Sequence, residues 1–252
     1  LRSLREKKHR KREGLFLAEG LRILAEALDS GRTPKILVVV EGTELHPLAR
    51  KMEEATVAAG GDVIETSEAI IAKLSGKSNP QSIIGIYPDH PVALEDLDRS
   101  GSNIWLVAQA LRDPGNLGTI LRTGDAVGAG GLILIDDCVD PFSVEAVRAS
   151  MGAIFTQQIA QARWPEFLSW LRSGPGELVG TSLNTENDYQ SVLYKQPTFL
   201  LIGNEAQGLP EDYEAACDTL VKMPMMGKAD SLNAAVAASV MAYEVLNQSR
   251  KR

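Results

Sequence analysis

Only two cysteines, Cys138 and Cys217, occur in the 252 residues. They offer neither a disulfide framework nor the paired spacing of a metal site. The three histidines, His9, His46 and His90, lie far apart in the chain, so clustered metal ligation is not expected. No stretch approaches the roughly 20 apolar residues of a membrane span. No apolar run of signal-peptide type follows the basic N-terminus. Two nucleotide-binding fingerprints are also missing. Gly128, Gly130 and Gly131 lie between a predicted helix and a strand, whereas the dinucleotide pattern needs its glycines between a strand and a helix. Gly203 and Gly208 have phosphate-loop spacing, but Leu209-Pro210 stand where lysine and the magnesium ligand belong. These absences point to a cytoplasmic protein without metal, membrane or nucleoside triphosphate.

What is present is ordinary for a globular chain: 44% hydrophobic and 23% charged residues, enough for one large or two ordinary domains. The net charge is −7, but it is unevenly spread. Residues 1–12, "LRSLREKKHRKR", hold seven Lys or Arg and one acid, which leaves −13 for the other 240 residues. A basic arm on an acidic body suits phosphate contacts, because counterion release is local. Arg5, Lys7, Lys8, Arg10, Lys11 and Arg12 are the candidate RNA contacts; a merely solvated tail is the alternative. Arg250, Lys251 and Arg252 repeat the theme more weakly.

Periodicity divides the chain in two. Up to residue 88 it predicts strands at 15–18, 35–40 and 82–87, with helices at 19–28, 44–59 and 67–74, a small α/β sandwich. Residues 89–102, rich in proline and aspartate, read as a linker. From 103 to 252 strands are expected near 104–108, 131–135, 177–181, 198–202 and 218–222. Helices fit near 116–128, 143–150, 164–172 and 231–247. Such alternation implies a mostly parallel sheet with both faces covered.

Three stretches of the second part can carry chemistry. In "RDPGNLGTILRTGDAVGAGG", Asn116 is a predicted N-cap. Arg122 lies early in the helix, where a cation opposes the dipole, which suggests an anion held near the free N–H groups; pairing with Asp113 or Asp125 is the alternative. "LIGNEAQGLP" breaks a buried strand with glycines that permit close approach. In "VKMPMMGKADSLNAAVAASVMAYE", Asp230 or Ser231 is the expected cap of an alanine-rich helix. Its stripe of Ala234, Ala238 and Ala242 allows close packing. The methionines either fill the core or line an adaptable apolar slot.

Taken together, these stretches resemble the SpoU (TrmH-like) family of RNA ribose 2′-O-methyltransferases, of the SPOUT class. The matching residues are Asn116, Gly118 and Arg122; Gly203, Asn204, Glu205, Gln207 and Gly208; and Pro224, Met225, Ser231, Leu232 and Asn233, with "RASMGA" (148–153) between. Residues 1–87 resemble the ribosomal-protein-like substrate-binding domain in front of many members that act on ribosomal RNA. The resemblance implies an α/β catalytic domain with a parallel sheet and a trefoil knot, a homodimer packed through the alanine-rich helix, and S-adenosylmethionine as cofactor. It places the cofactor on Thr181, Leu183, Gly203, Asn204, Glu205, Gly208, Met223, Met225, Ser231, Leu232 and Ala237. It assigns catalysis to Arg122, Asn116, Glu205, Ser231 and Asn233, with Arg122 near the partner's cofactor. Two departures are visible: Met223 stands where isoleucine is common, and Ala206 where glycine is. The expected reaction is methyl transfer to a ribose 2′-hydroxyl in 23S ribosomal RNA. Transfer RNA as substrate, or a non-catalytic RNA-binding role, are the alternatives.

Overall fold

A computed structural model describes residues 1–42 and 46–251. The chain forms two compact units, Leu1–His90 with Asp140–Thr156, and Pro91–Val139 with Gln157–Arg252.

In the first unit the basic stretch is not an extended arm. It folds into α1 (Lys7–Glu13), closed by Gly14 in the left-handed region at φ 61°. There follow β1 (Leu15–Glu19), α2 (Leu21–Asp29), β2 (Ile36–Val40), α3 (Pro47–Ala58), β3 (Asp62–Thr66), α4 (Glu68–Ser75) and β4 (Ile83–Pro88). The sheet order is β1-β4-β2-β3, with only β2 and β3 parallel. Leu17, Val38, Ile84 and Ile86 pack with Ile71 and Leu74 of α4. The edge strand β3, "DVIET", has no fully buried residue, so its composition carried no strand signal. The helix expected from residue 19 starts at Leu21, because Gly20 bends at φ 102° and Glu19 ends the strand. Residues 44 and 45 of another expected helix lie outside the described residues, as does Arg252 of the C-terminal basic triplet.

Residues 91–102, read as part of a linker, are built into the second unit. Leu94 and Leu97 are buried with Trp105 and Phe167. Arg99 donates to the carbonyls of Trp170 (2.5 Å) and Leu171 (2.9 Å) and lies 4.0 Å over the Trp170 ring. The proline and aspartate content hid this, since the anchors are two leucines and one arginine.

The chain continues through β5 (Ile104–Gln109), α5 (Pro114–Val127) and β6 (Gly131–Ile135). It then enters α6 (Val144–Ala149), which belongs to the first unit. It returns as β7 (Gln158–Ala162), α7 (Trp164–Arg172), β8 (Glu177–Thr181), β9 (Thr198–Ile202), α8 (Glu211–Ala216), β10 (Thr219–Val221) and α9 (Ala234–Arg250). The sheet order is β10-β8-β9-β5-β6-β7, and every pairing is parallel. Parallel sheets need both faces covered, and β5, β6 and β9 are buried at every position. From β5 the chain moves outward to β6 and β7, then restarts on the other side and inserts β9 beside β5. Ligand crevices form at such switch points, outside the carboxyl ends of the strands.

The alanine stripe is used inside this unit. Ala234, Ala238 and Ala242 are buried as α9 lies against α5, β9 and β5. Thr123 and Ser239 join the two helices at 2.7 Å.

Residues 140–156, including "RASMGA", pack in the first unit and not in the second, where the sequence placed them. Phe142 and Phe155 lie 5.0 and 5.7 Å from the Phe16 ring. Arg148 pairs with buried Glu19 at 2.9 Å.

Candidate active site

A pocket of about 450 Å³ opens at the C-terminal ends of β8, β9 and β10 and against the start of α9. Thr181, Leu183, Gly203, Asn204, Glu205, Gly208, Met223, Met225, Ser231, Leu232 and Ala237 all line it. Met223 and Met225 are thus slot residues rather than core filling, and Met226 points to solvent with 94% of its surface exposed.

The loop after β9 closes on itself. A Cβ at Gly203 would stand 2.5 Å from the Gly208 carbonyl carbon and 2.7 Å from the Leu209 nitrogen. No side chain fits there, because the obstacle is backbone. Gly208 meets nothing but needs φ 67°, the left-handed region that glycine favours. Asn204 holds the turn from within. Its Oδ1 accepts from the N–H groups of Ala206 (2.9 Å) and Gln207 (3.1 Å), and its amide donates to the Ala110 carbonyl (2.8 Å). Ala206 is not among the residues with positive φ, so the turn tolerates alanine there.

Glu205 joins this loop to the start of α5. Its carboxylate accepts from the N–H groups of Asp113 (3.1 Å) and Arg112 (3.2 Å) and from the Asn116 amide (3.3 Å). Asn116 Oδ1 in turn accepts from the Asn233 amide at 3.0 Å. Asn233 Oδ1 accepts from the N–H groups of Ala235 and Val236. One polar chain therefore knits three loops that are far apart in sequence. Partial burial raises the pKa of Glu205, and the hydrogen bonds from its own backbone, Asp113, Asn116 and Arg112 outweigh that and hold it below the usual carboxylate range.

Two expected caps are corrected by this geometry. Asp113, not Asn116, caps α5, accepting from the Asn116 N–H at 2.6 Å. Asn233, not Asp230 or Ser231, caps α9; the Ser231 hydroxyl donates to Asp230 at 3.1 Å instead. The N–H groups of Arg112 and Asp113, just before α5, hold the Glu205 carboxylate, and the Asn116 N–H holds that of Asp113.

Arg122 is exposed on α5 and does not line the pocket. Among the described residues no hydrogen bond or ion pair holds its side chain, and Asp113 is engaged as the cap of α5. Of the six basic candidates in the first unit, Arg5, Lys7, Lys8, Lys11 and Arg12 are exposed. Arg10 is not: it is 4% exposed and donates to Asp140 at 2.7 and 3.0 Å and to the Leu4 carbonyl at 2.8 Å. Helical spacing turns it inward, which an arm reading could not anticipate.

Sequence reasoning missed Ser182, Asn184 and Glu214 at the pocket wall. Glu214 accepts from the Ser182 hydroxyl at 2.5 Å and from the Asn184 amide at 3.0 Å. It sits on α8, whose six residues carry no buried position and no periodic signal.

Residues 103–243 match the SpoU rRNA Methylase family, and residues 1–85 match the MRM3-like substrate binding domain. The chain belongs to the SpoU rRNA methylase family. Among its relatives is a 23S rRNA (uridine(2479)-2'-O)-methyltransferase of Streptomyces viridochromogenes, 32% identical over 95% of this chain and 85% of that protein. The 23S rRNA (guanosine(2553)-2'-O)-methyltransferase RlmP of Bacillus subtilis is 28% identical over 97% of this chain and 93% of its own. The crystal structure of an AdoMet-bound rRNA methyltransferase from Sinorhizobium meliloti superposes with a TM-score of 0.90 at 39% identity, covering 98% of this chain and 92% of that one. Among the described residues no helix is long and apolar enough to cross a membrane, and no group of three or more His, Cys, Asp or Glu is placed to hold a metal ion.

Proposed function

We propose that this chain is a cytoplasmic S-adenosylmethionine-dependent methyltransferase acting on a ribose 2′-hydroxyl of 23S ribosomal RNA. The observation that carries this reading is the Glu205–Asn116–Asn233 chain, which assembles three separate loops around one pocket. The pocket fits the cofactor: it offers an apolar slot from Leu183, Met223 and Leu232 beside the backbone of the 203–208 turn. We read that turn as part of the trefoil knot of this class. S-adenosylmethionine supplies a methyl group on a sulfonium. Glu205, Asn116 and Asn233 fix the loops; Ser231 borders the target nucleotide.

Arg122 lies outside its own pocket, so it is assigned to the pocket of a second copy in a homodimer. The small-residue face of α9 is consumed internally, whereas Val236 (48% exposed) and Tyr243 (53% exposed) leave an apolar face for that dimer. A guanidinium is a poor base. Arg122 instead clamps a neighbouring phosphate and holds developing oxyanion charge, while the phosphate or water takes the proton. Exposed Arg5, Lys7, Lys8, Lys11 and Arg12 supply non-specific RNA contacts.

The test is transfer of label from S-adenosylmethionine to unmodified 23S ribosomal RNA and to transfer RNA, with Arg122→Ala alongside. Label at a ribose of the ribosomal RNA, lost in the variant, is expected. Label only on transfer RNA would overturn the substrate, and no label on either would overturn the activity.

A further inference from the structure

Four charged side chains border the pocket: Glu205, Glu214, Asp230 and Lys222. Three of them are accounted for by their surroundings. Glu205 is engaged with the start of α5. Lys222 pairs with Glu186 at 2.9 Å. Asp230 is exposed and takes the Ser231 hydroxyl. Glu214 differs in that its donors, Ser182 and Asn184, are themselves on the pocket wall and hold both of its oxygens there; as with Glu205 and Asp230, among the described residues no cation pairs with it. It is a positioned, uncompensated negative charge on the pocket wall.

We propose that Glu214 is a specificity-determining residue that makes this pocket prefer the positively charged sulfonium donor over its neutral thioether product. The inference rests on the cofactor reading above. In the transfer the S–CH3 bond breaks with its electron pair left on sulfur, the O–CH3 bond forms, and the 2′-hydroxyl proton leaves to phosphate or water. The sulfur thereby loses its positive charge. A fixed carboxylate on the pocket wall, in surroundings less polar than water, attracts the reactant and not the product. Its effect is to draw the donor in and let the spent thioether go. A carboxylate that merely accepted a hydrogen bond from the cofactor's ribose would treat the two ligands alike.

Isothermal titration of the full-length protein with S-adenosylmethionine, S-adenosylhomocysteine and sinefungin tests this, sinefungin carrying an ammonium where the sulfonium stands. Glu214→Gln keeps the size and loses the charge. It is expected to weaken both cationic ligands by about tenfold and to leave the thioether within about twofold. The wild-type preference is also expected to shrink between about 0.05 and 0.5 M NaCl, as screening sets in; this readout holds even if the variant folds poorly. Equal weakening of all three ligands, or a preference insensitive to both salt and substitution, would overturn the proposal. Failure of the wild type to bind any of the three would overturn the cofactor reading and this inference with it.

Discussion

At Gly203 the missing side chain is a geometric requirement. The nearest obstacles to a Cβ are backbone atoms of Gly208 and Leu209, which cannot rotate away as a side chain would. Gly203→Ala is therefore expected to force the turn open, cost about 1–3 kcal/mol of stability, and weaken cofactor affinity at least tenfold, as read by thermal melts and titration calorimetry. Glu205 makes a pH-dependent prediction. Its folded pKa is lowered, so its stabilising contribution is complete above the unfolded value of about 4.3. That contribution is lost as pH falls through the lower folded value. Glu205→Gln should cost about 1 kcal/mol near neutrality, the size of a helix-cap loss. The gap between variant and wild type in urea unfolding should narrow as pH falls below about 4.3 and on through the lower folded value. Asn116, Glu205 and Asn233 were all singled out in the sequence, and the structure joins them in one hydrogen-bonded chain. Their division of labour was not legible there, because a cap is decided by where the backbone turns, and Asp113 and Asn233 are the ones at the bend.

Among the elements, the buried strands β2, β5, β6 and β9 could be read directly, since continuous apolar runs bounded by turn residues have few other uses. The missed elements share a cause. β3 and β7 are edge strands, and each carries exposed or half-buried polar residues along its length, so neither shows an apolar run. α8 exposes all or part of every residue. Helix α1 escaped because its charge suggested a solvated arm, although Arg10 falls on its inner face. That residue separates structure from RNA contact within one helix. Arg10 and Asp140 have side chains only 5% and 12% exposed, and breaking a buried pair leaves an uncompensated charge. Arg10→Ala should destabilise the first unit by about 3 kcal/mol, measured by chemical denaturation. Combined replacement of Lys7, Lys8 and Lys11 by alanine should leave stability within about 0.5 kcal/mol and weaken RNA binding. It should also flatten the plot of log affinity against log salt by about two units.

At the scale of the molecule, the division into two parts was visible in the sequence, but its boundary is not a single cut. The 1–85 match to a substrate-binding domain ends within β4. The compact first unit nevertheless includes Asp140–Thr156. Sequence periodicity cannot reveal this, because the return segment is short and its charged partners, Arg10 and Glu19, lie more than a hundred residues upstream. Its contributions are substantial: Asp140 neutralises Arg10, Arg148 reaches Glu19, Val144 enters the core, and Phe142 and Phe155 cover Phe16. A fragment of residues 1–90 would keep every strand of its sheet. It would also expose Phe16 and leave Arg10 without its partner, two of the costliest defects for a unit with so small a core. Such a fragment is expected to show native-like far-ultraviolet circular dichroism with poorly dispersed amide resonances. The same fragment joined through a glycine-rich linker to residues 140–156 is expected to recover dispersion and a cooperative melt. Equal cooperativity in the two would show that the return segment is a passenger on a self-sufficient unit.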